Sequence, residues 1–389
     1  MPDQIECFSK LGPKDGNTMY ATNDKITIRQ MILAIIQTQI GVGVLTLPHN
    51  IALHAENDSW ISTLVAGIIT EGIILLMWLL AIRYPNLTLF EIFMEIMGKF
   101  IGRILVLCYA VYLMVKGGFI LAQYGLIINR WILERTPNWI ILLLLLLASA
   151  YIAKDSLKSM IRFFVLVLPL IVVLIVLVSY SLKDAKFIYL LPVGASSPIQ
   201  ILNGSQEAIF SMMGFNLLFF IYPFVQGTNK QKLKAVSIAH LFTVAYYTYL
   251  VVLSLMYFVS AEDMNHIPES IVYMIKAFSF NVFERMDLFF LSIWVINVAT
   301  SLMTTIYIAC NGFASMFQGK SHRAALPYVC IFIFLLALVL SREDYFDTFS
   351  PYFNLSHYIF QFLIPVILLL AAIVWKKQKQ KGQISHEAS

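Results

Sequence analysis

Ten runs of mostly apolar residues punctuate this chain, at roughly 26–54, 60–82, 102–130, 138–153, 160–182, 206–227, 235–259, 287–317, 325–341 and 353–375. About twenty such residues in a helix cross the hydrocarbon core of a bilayer. Charged residues make up 13% of the 389, about half of what a soluble domain carries, and mean hydropathy is +0.78. Strands of a membrane barrel alternate apolar and polar residues. The stretches NWIILLLLLLASAYI and FFVLVLPLIVVLIVLVSY do not alternate. The expected fold is therefore an all-α integral membrane protein with ten transmembrane helices.

Lysine and arginine orient such a protein, because cytoplasmic loops retain them. With the N-terminus inside, 19 fall on the cytoplasmic side, 7 fall outside, and Lys116 lies within the third window. This predicts a cytoplasmic tail over residues 1–25, a membrane domain over 26–375, and a basic cytoplasmic tail over 376–389. The first 25 residues are polar and lack the short apolar core of a signal peptide. The net charge of +5 faces anionic lipid in this arrangement, so no nucleic-acid partner is needed to account for it.

The first window is interrupted. Residues 37–50 read QTQIGVGVLTLPHN, with Gly41, Gly43 and Pro48 where a spanning helix should be most regular. A backbone group left unpaired in hydrocarbon costs several kcal/mol, so a break survives only where protein or ligand supplies partners. Small residues also let helices pack closely, and residues 37–50 alone do not separate the two readings. The sixth window tips the balance. It carries Gly214 and Asn216 mid-span, and Gly214 follows Gly41 by 173 residues, close to half the chain. Five helices per half invert the second half relative to the first, and paired interruptions in inverted halves point to a midplane binding site. The second segment is expected to begin near Val44, leaving N–H groups of Gly43 to Leu45 for an anionic group. Carbonyls near Gln39 and Ile40 would face a cation. A zwitterionic amino acid matches both ends; a polyol could use the same groups, so a sugar stays open.

Three stretches carry a family resemblance: ITIRQMILAIIQTQIGVGVLTLP at the start, YPNLTLFEIFMEIMGKFIGRI after the second window, and ERMDLFFLSIW entering the eighth. With them the chain resembles the B subunits of bacterial spore germinant receptors, members of the amino acid–polyamine–organocation transporter superfamily, over about residues 20–375. The resemblance implies a LeuT-like fold of two inverted five-helix repeats with the first and sixth helices broken. It also implies germinant sensing in the spore inner membrane, beside an A subunit and a lipoprotein C subunit. Gly41, Val42 and Gly43 match the unwound part of the first helix, and Gly214 the interruption of the sixth. In related sodium-coupled transporters, hydroxyls of the eighth helix hold an ion. Thr and Ser in membrane helices more often bond their own backbone, so no sodium site is expected here. The lysine that relatives without sodium place in the fifth helix is absent too, which favours a sensor over a powered pump.

The candidate ligand-binding residues are Gly41, Val42, Gly43 and Val44 at the first break, Tyr112, Lys116 and Gly117 on the third helix, Met213, Gly214 and Asn216 at the second break, and Ser301 and Thr304 on the eighth helix. A lysine at mid-membrane normally faces a partner or a cavity; pairing with Glu71 and a place in the ligand or proton path carry equal weight. Glu207 is expected to cap the outer start of the sixth helix. Glu91, Glu95 and Lys99, at i, i+4 spacing, suit one face of an interfacial helix, and residues 268–283 an outer helical lid. The four cysteines form no C-x-x-C pair, the histidines form no H-E-x-x-H, and neither a P-loop nor G-x-S-x-G occurs. Accordingly no cofactor, metal or enzymatic activity is expected. The leading expectation is a germinant-binding subunit for a small nutrient, with a free-standing proton-coupled amino acid permease as runner-up and a purely structural membrane subunit as a third reading. Tags fused at both termini should be accessible from the cytoplasmic side alone; a reporter at residue 389 that is active only outside the cytoplasm would overturn the ten-helix count.

Overall fold

The structure, a computed structural model, describes residues 25–277, 285–316 and 321–374. The two expected tails, apart from Lys25, and the end of the 268–283 segment lie outside the described residues.

Helix starts follow local chemistry. Helix α1 (Ile28–Gln39) opens on a capping box in which Thr27 and Gln30 each take up the other's backbone N–H. The same device opens α10 (Asn229–Tyr257), with Thr228 and Gln231, and α8 (Pro198–Ser211), with Ser197 and Gln200. In α8 the proline takes the first helical position, where its missing N–H costs least. That start lies eight residues before the expected sixth window. Glu207 is therefore mid-helix, not a cap.

The remaining helices, in order, are α2 (Leu47–Ala55), α3 (Ser59–Arg83), α4 (Leu89–Trp131), α5 (Asn138–Ala153), α6 (Leu157–Val167), α7 (Pro169–Ser179), α9 (Leu217–Ile221), α11 (Ala261–Asn265), α12 (Ser270–Lys276), α13 (Met286–Met316), α14 (His322–Leu340), α15 (Glu343–His357) and α16 (Ile364–Val374). A π-helical stretch, Tyr358–Leu363, joins α15 to α16. Among the described residues, seven helical stretches are long and apolar enough to cross a membrane, and α5 is a shorter apolar helix. Helix α4 bends at Gly98, whose φ of +79° is open to glycine at little cost. Lys99 consequently does not continue the face of Glu91 and Glu95, and Glu91 caps Thr88 instead.

Helix α13 packs along α4, α1 along α10, and α2 along α8, with α3 against both α8 and α10. Trp294, Tyr109, Tyr247, Phe215 and Phe219 are fully buried between them. The outer surface carries exposed Ile68, Leu144, Leu166 and Tyr328, a distribution that suits lipid rather than water.

Two tie-points bracket the bundle. At one end, the chain entering α1 pairs with the chain leaving α9: Ile26 N–H donates to Phe224 O and Gln226 N–H to Ile26 O, both at 2.9 Å. Lys232 Nζ donates to Tyr222 O at 2.8 Å beside them. At the other end, Arg130 closes α4 on Glu269 at 2.6 Å and on Glu343, and Trp131 Nε1 also donates to Glu269.

Between these ends, Gly214 presses against α1. A Cβ built there would lie 2.2 Å from Thr38 O and 2.7 Å from Gln39 N, and φ is +156°. Gly214→Ala should lower stability by about 2–5 kcal/mol from overlap and backbone strain together. Gly72, with nothing within 4 Å of its would-be Cβ, serves as control: Gly72→Ala in mid-helix should be neutral or gain up to about 1 kcal/mol. Thermal unfolding in detergent checks both; equal melting temperatures for the two variants would contradict the contact.

Candidate functional site

The three polar residues before the first break, Gln37, Thr38 and Gln39, are all buried, and each is committed. Gln37 Nε2 donates to Asn297 Oδ1 on α13 at 2.7 Å. Thr38 Oγ1 lies 3.3 Å from Gly214 O. Gln39 Nε2 donates to Met212 O and to His240 Nδ1, each at 3.1 Å. His240 in turn has Nε2 3.0 Å from Gly67 O, which assigns the neutral ring with its proton on Nε2. The Tyr247 hydroxyl donates to Gln39 O at 2.9 Å and lies 3.1 Å from Ser211 O. The two interruptions thus supply each other's partners, as non-helical backbone at membrane depth requires.

After Gln39 the chain is extended at Gly41 and re-forms as a 3-10 turn over Val42–Leu45 before α2. The second segment begins two residues earlier than expected. The N–H groups that precede its first bond are those of Gly41, Val42 and Gly43, not of Gly43 to Leu45. Of the expected carbonyl acceptors, Gln39 O is already occupied by Tyr247.

A cavity of about 190 Å³ lies where the breaks meet, walled by α4, α13 and α15 as well. Nine of the twelve candidate residues line it: Gly41, Val42, Gly43, Lys116, Met213, Gly214, Asn216, Ser301 and Thr304. Gly41 and Gly43 admit Ser301 and Ser211, whose Oγ atoms would each be 3.0 Å from an added Cβ. Asn216 Nδ2 donates to the Tyr109 hydroxyl at 3.3 Å. Ser301 Oγ is buried without a partner among the described residues. Thr304 and Thr305 donate to the carbonyls of Thr300 and Ser301 in their own helix. Among the described residues no group of three or more His, Cys, Asp or Glu gathers as a metal site.

Val44, Tyr112 and Gly117 do not reach the cavity. Val44 is packed in the core. Tyr112 shares the Lys116 face of α4 but sits one turn away, where its ring stacks on Phe360 at 4.6 Å and its hydroxyl accepts from Gln361 Nε2 at 2.7 Å. Gly117 faces α14, with Ile333 Cδ1 2.8 Å from its would-be Cβ. The expected Lys116–Glu71 pair is also absent. Glu71 accepts from Ser237 Oγ on α10 at 2.5 Å, whereas Lys116 lines the cavity with no ion pair among the described residues.

Two titratable groups on the wall went unforeseen. Glu207 projects from the middle of α8, and His357 from the end of α15. The ring of His357 packs edge-on against Phe353 and Tyr112, and its Nδ1 lies 3.3 Å from Phe353 O. The Ser-Pro-x-Gln start of α8, SPIQ, was the available signal for Glu207; read as a capping box, it moves the carboxylate into the span. No local pattern marks His357, which shares the cavity with Lys116 only through the packing of α15 on α4.

Replacing Gly41 or Gly43 with Leu puts a branched side chain into a space of this size. Either variant should reach the membrane at normal level and lose response to small nutrients entirely. Normal response from both would place the binding site elsewhere.

Sequence comparison finds relatives along most of the chain. The sequence model of a family described as "Spore germination protein" matches residues 25–346. Among curated proteins, the chain is similar to spore germination protein GerQB of Bacillus cereus, 28% identical over 339 residues, covering 86% of this chain and 92% of that protein. It is also similar to spore germination protein YndE of Bacillus subtilis strain 168, at 26% over 377 residues, covering 93% and 100%, and to spore germination protein A2 of the same strain, at 26% over 352 residues, covering 88% and 94%. With seven membrane-length apolar helices and a family match over most of its length, the chain is a multi-pass membrane protein that belongs to the spore germination protein family.

Proposed function

We propose that this chain is the ligand-binding membrane subunit of a spore germinant receptor, taking a small nutrient into the cavity between its two helix breaks. The observation that carries this reading is the convergence of the non-helical backbone at Gly41 to Gly43, a lysine in no ion pair among the described residues and an unpartnered serine on one cavity at the broken positions. Gln39, His240 and Tyr247, close to the same breaks, are instead committed to one another. A cavity of about 190 Å³ is below the roughly 300–1,000 Å³ of drug-sized sites, which favours an amino acid or a monosaccharide over a peptide. In this reading the helices make ten crossings in two inverted halves with both termini cytoplasmic. The protein works in the spore inner membrane beside an A subunit and a lipoprotein C subunit, with relatives named for spore germination in support.

Spores whose own copy is replaced by Lys116→Met should accumulate the protein normally, because Glu71 does not depend on Lys116. They should need at least about tenfold more nutrient for half-maximal germination, the loss expected when one charged contact to a ligand is removed. Germination curves over an amino acid and sugar panel, with immunoblots for level, check this; unchanged dose–response for every nutrient would contradict the reading. Concentrative uptake of labelled alanine by vesicles holding this chain alone would favour a permease instead.

A further inference from the structure

Glu207 and Lys116 are the carboxylate and the lysine on the cavity wall, which His357 shares. Both are half-buried. Neither has a hydrogen bond among the described residues, and no nitrogen–oxygen distance of 4.0 Å or less joins either to an opposite charge. Charges at membrane depth normally pair or face a site. These two face the same space from opposite elements, α8 and α4.

The carbonyl end of α1 is the obvious place for a ligand's cationic group, but its Gln39 carbonyl is occupied by Tyr247. Thr38 O is covered too, by the close approach of Gly214. Glu207 is the anionic group still open on the wall. It stands one helical turn, about 6 Å of rise, from Ser211, which lines the same cavity and meets Gly43. The unpartnered Ser301 Oγ adds polar capacity to the same wall.

We infer that Glu207 binds the ammonium group of the ligand and Lys116 its carboxylate, so that the site selects a small zwitterionic amino acid over a sugar. This rests on the proposed ligand-binding role of the same cavity.

The test uses the purified full chain in lipid nanodiscs, with L-alanine, L-alaninamide and D-glucose as probes, measured by calorimetry and by competition. Wild type should bind alanine and not glucose. Glu207→Gln should weaken alanine roughly tenfold or more, as expected for losing a charge-assisted contact. It should weaken alaninamide, which keeps the amine, by a similar factor. Lys116→Met should weaken alanine and leave alaninamide unchanged. Glu207→Asp, which keeps the charge, should recover part of the loss, and melting temperatures should show that each variant is folded. Unchanged alanine binding by a folded Glu207→Gln, or binding of glucose in preference to alanine, would overturn the inference and leave the cavity's role standing. Binding of none of the three probes by wild type would overturn both.

Discussion

The contact of Gly214 with the Thr38–Gln39 peptide is the interaction on which the rest depends. A helix broken inside hydrocarbon exposes carbonyl and N–H groups that lipid cannot satisfy. Here one break is placed against the other, close enough that even a methyl group would overlap the opposite backbone. That proximity allows Tyr247 to reach a carbonyl of each segment and Gln39 to reach across to Met212. Individually such bonds contribute modestly in membrane proteins, about 0.6 kcal/mol on average. Their value lies in covering groups that would otherwise each cost several times as much.

The same logic sorts the charges. Lys232 is spent on Tyr222 O and its ring, Arg130 on Glu269 and Glu343, and Glu71 on Ser237. Asp287, fully buried, is held by Arg285 through two bonds of 3.0 and 2.7 Å. A charge kept deep without such a partner destabilises the protein, and among the described residues Lys116 and Glu207 stand so on one cavity. That placement costs stability, a cost that the proposed ligand would offset.

Much of this was legible in the chain itself. Membrane helices announce themselves through missing charge, so the all-helical, apolar character was legible, although ten windows were expected and seven membrane-length helical stretches are found among the described residues. Glycine at the two breaks was legible because few other residues leave helical angles so cheaply. What failed was whatever depends on neighbours. Tyr112 and Lys116 do share a face, but Phe360 covers only the first, and nothing near residue 112 says so. Gln37 and Gln39 stood in plain view beside Gly41, and their partners lie some two hundred residues away. Glu207 was misplaced because its helix start was read from hydropathy, which rises only after the helix has begun; the Ser197–Gln200 box would have corrected it. The Glu71–Lys116 pairing rested on charge complementarity alone, and a hydroxyl from α10 outcompeted it.

The clasp between Ile26 and the segment 224–226 is made entirely of main-chain bonds, so side-chain substitution leaves it intact unless proline arrives. Its counterpart at the other end, Arg130 on Glu269 and Glu343, is made of charged side chains, so salt and substitution weaken that end and leave the clasp as it is.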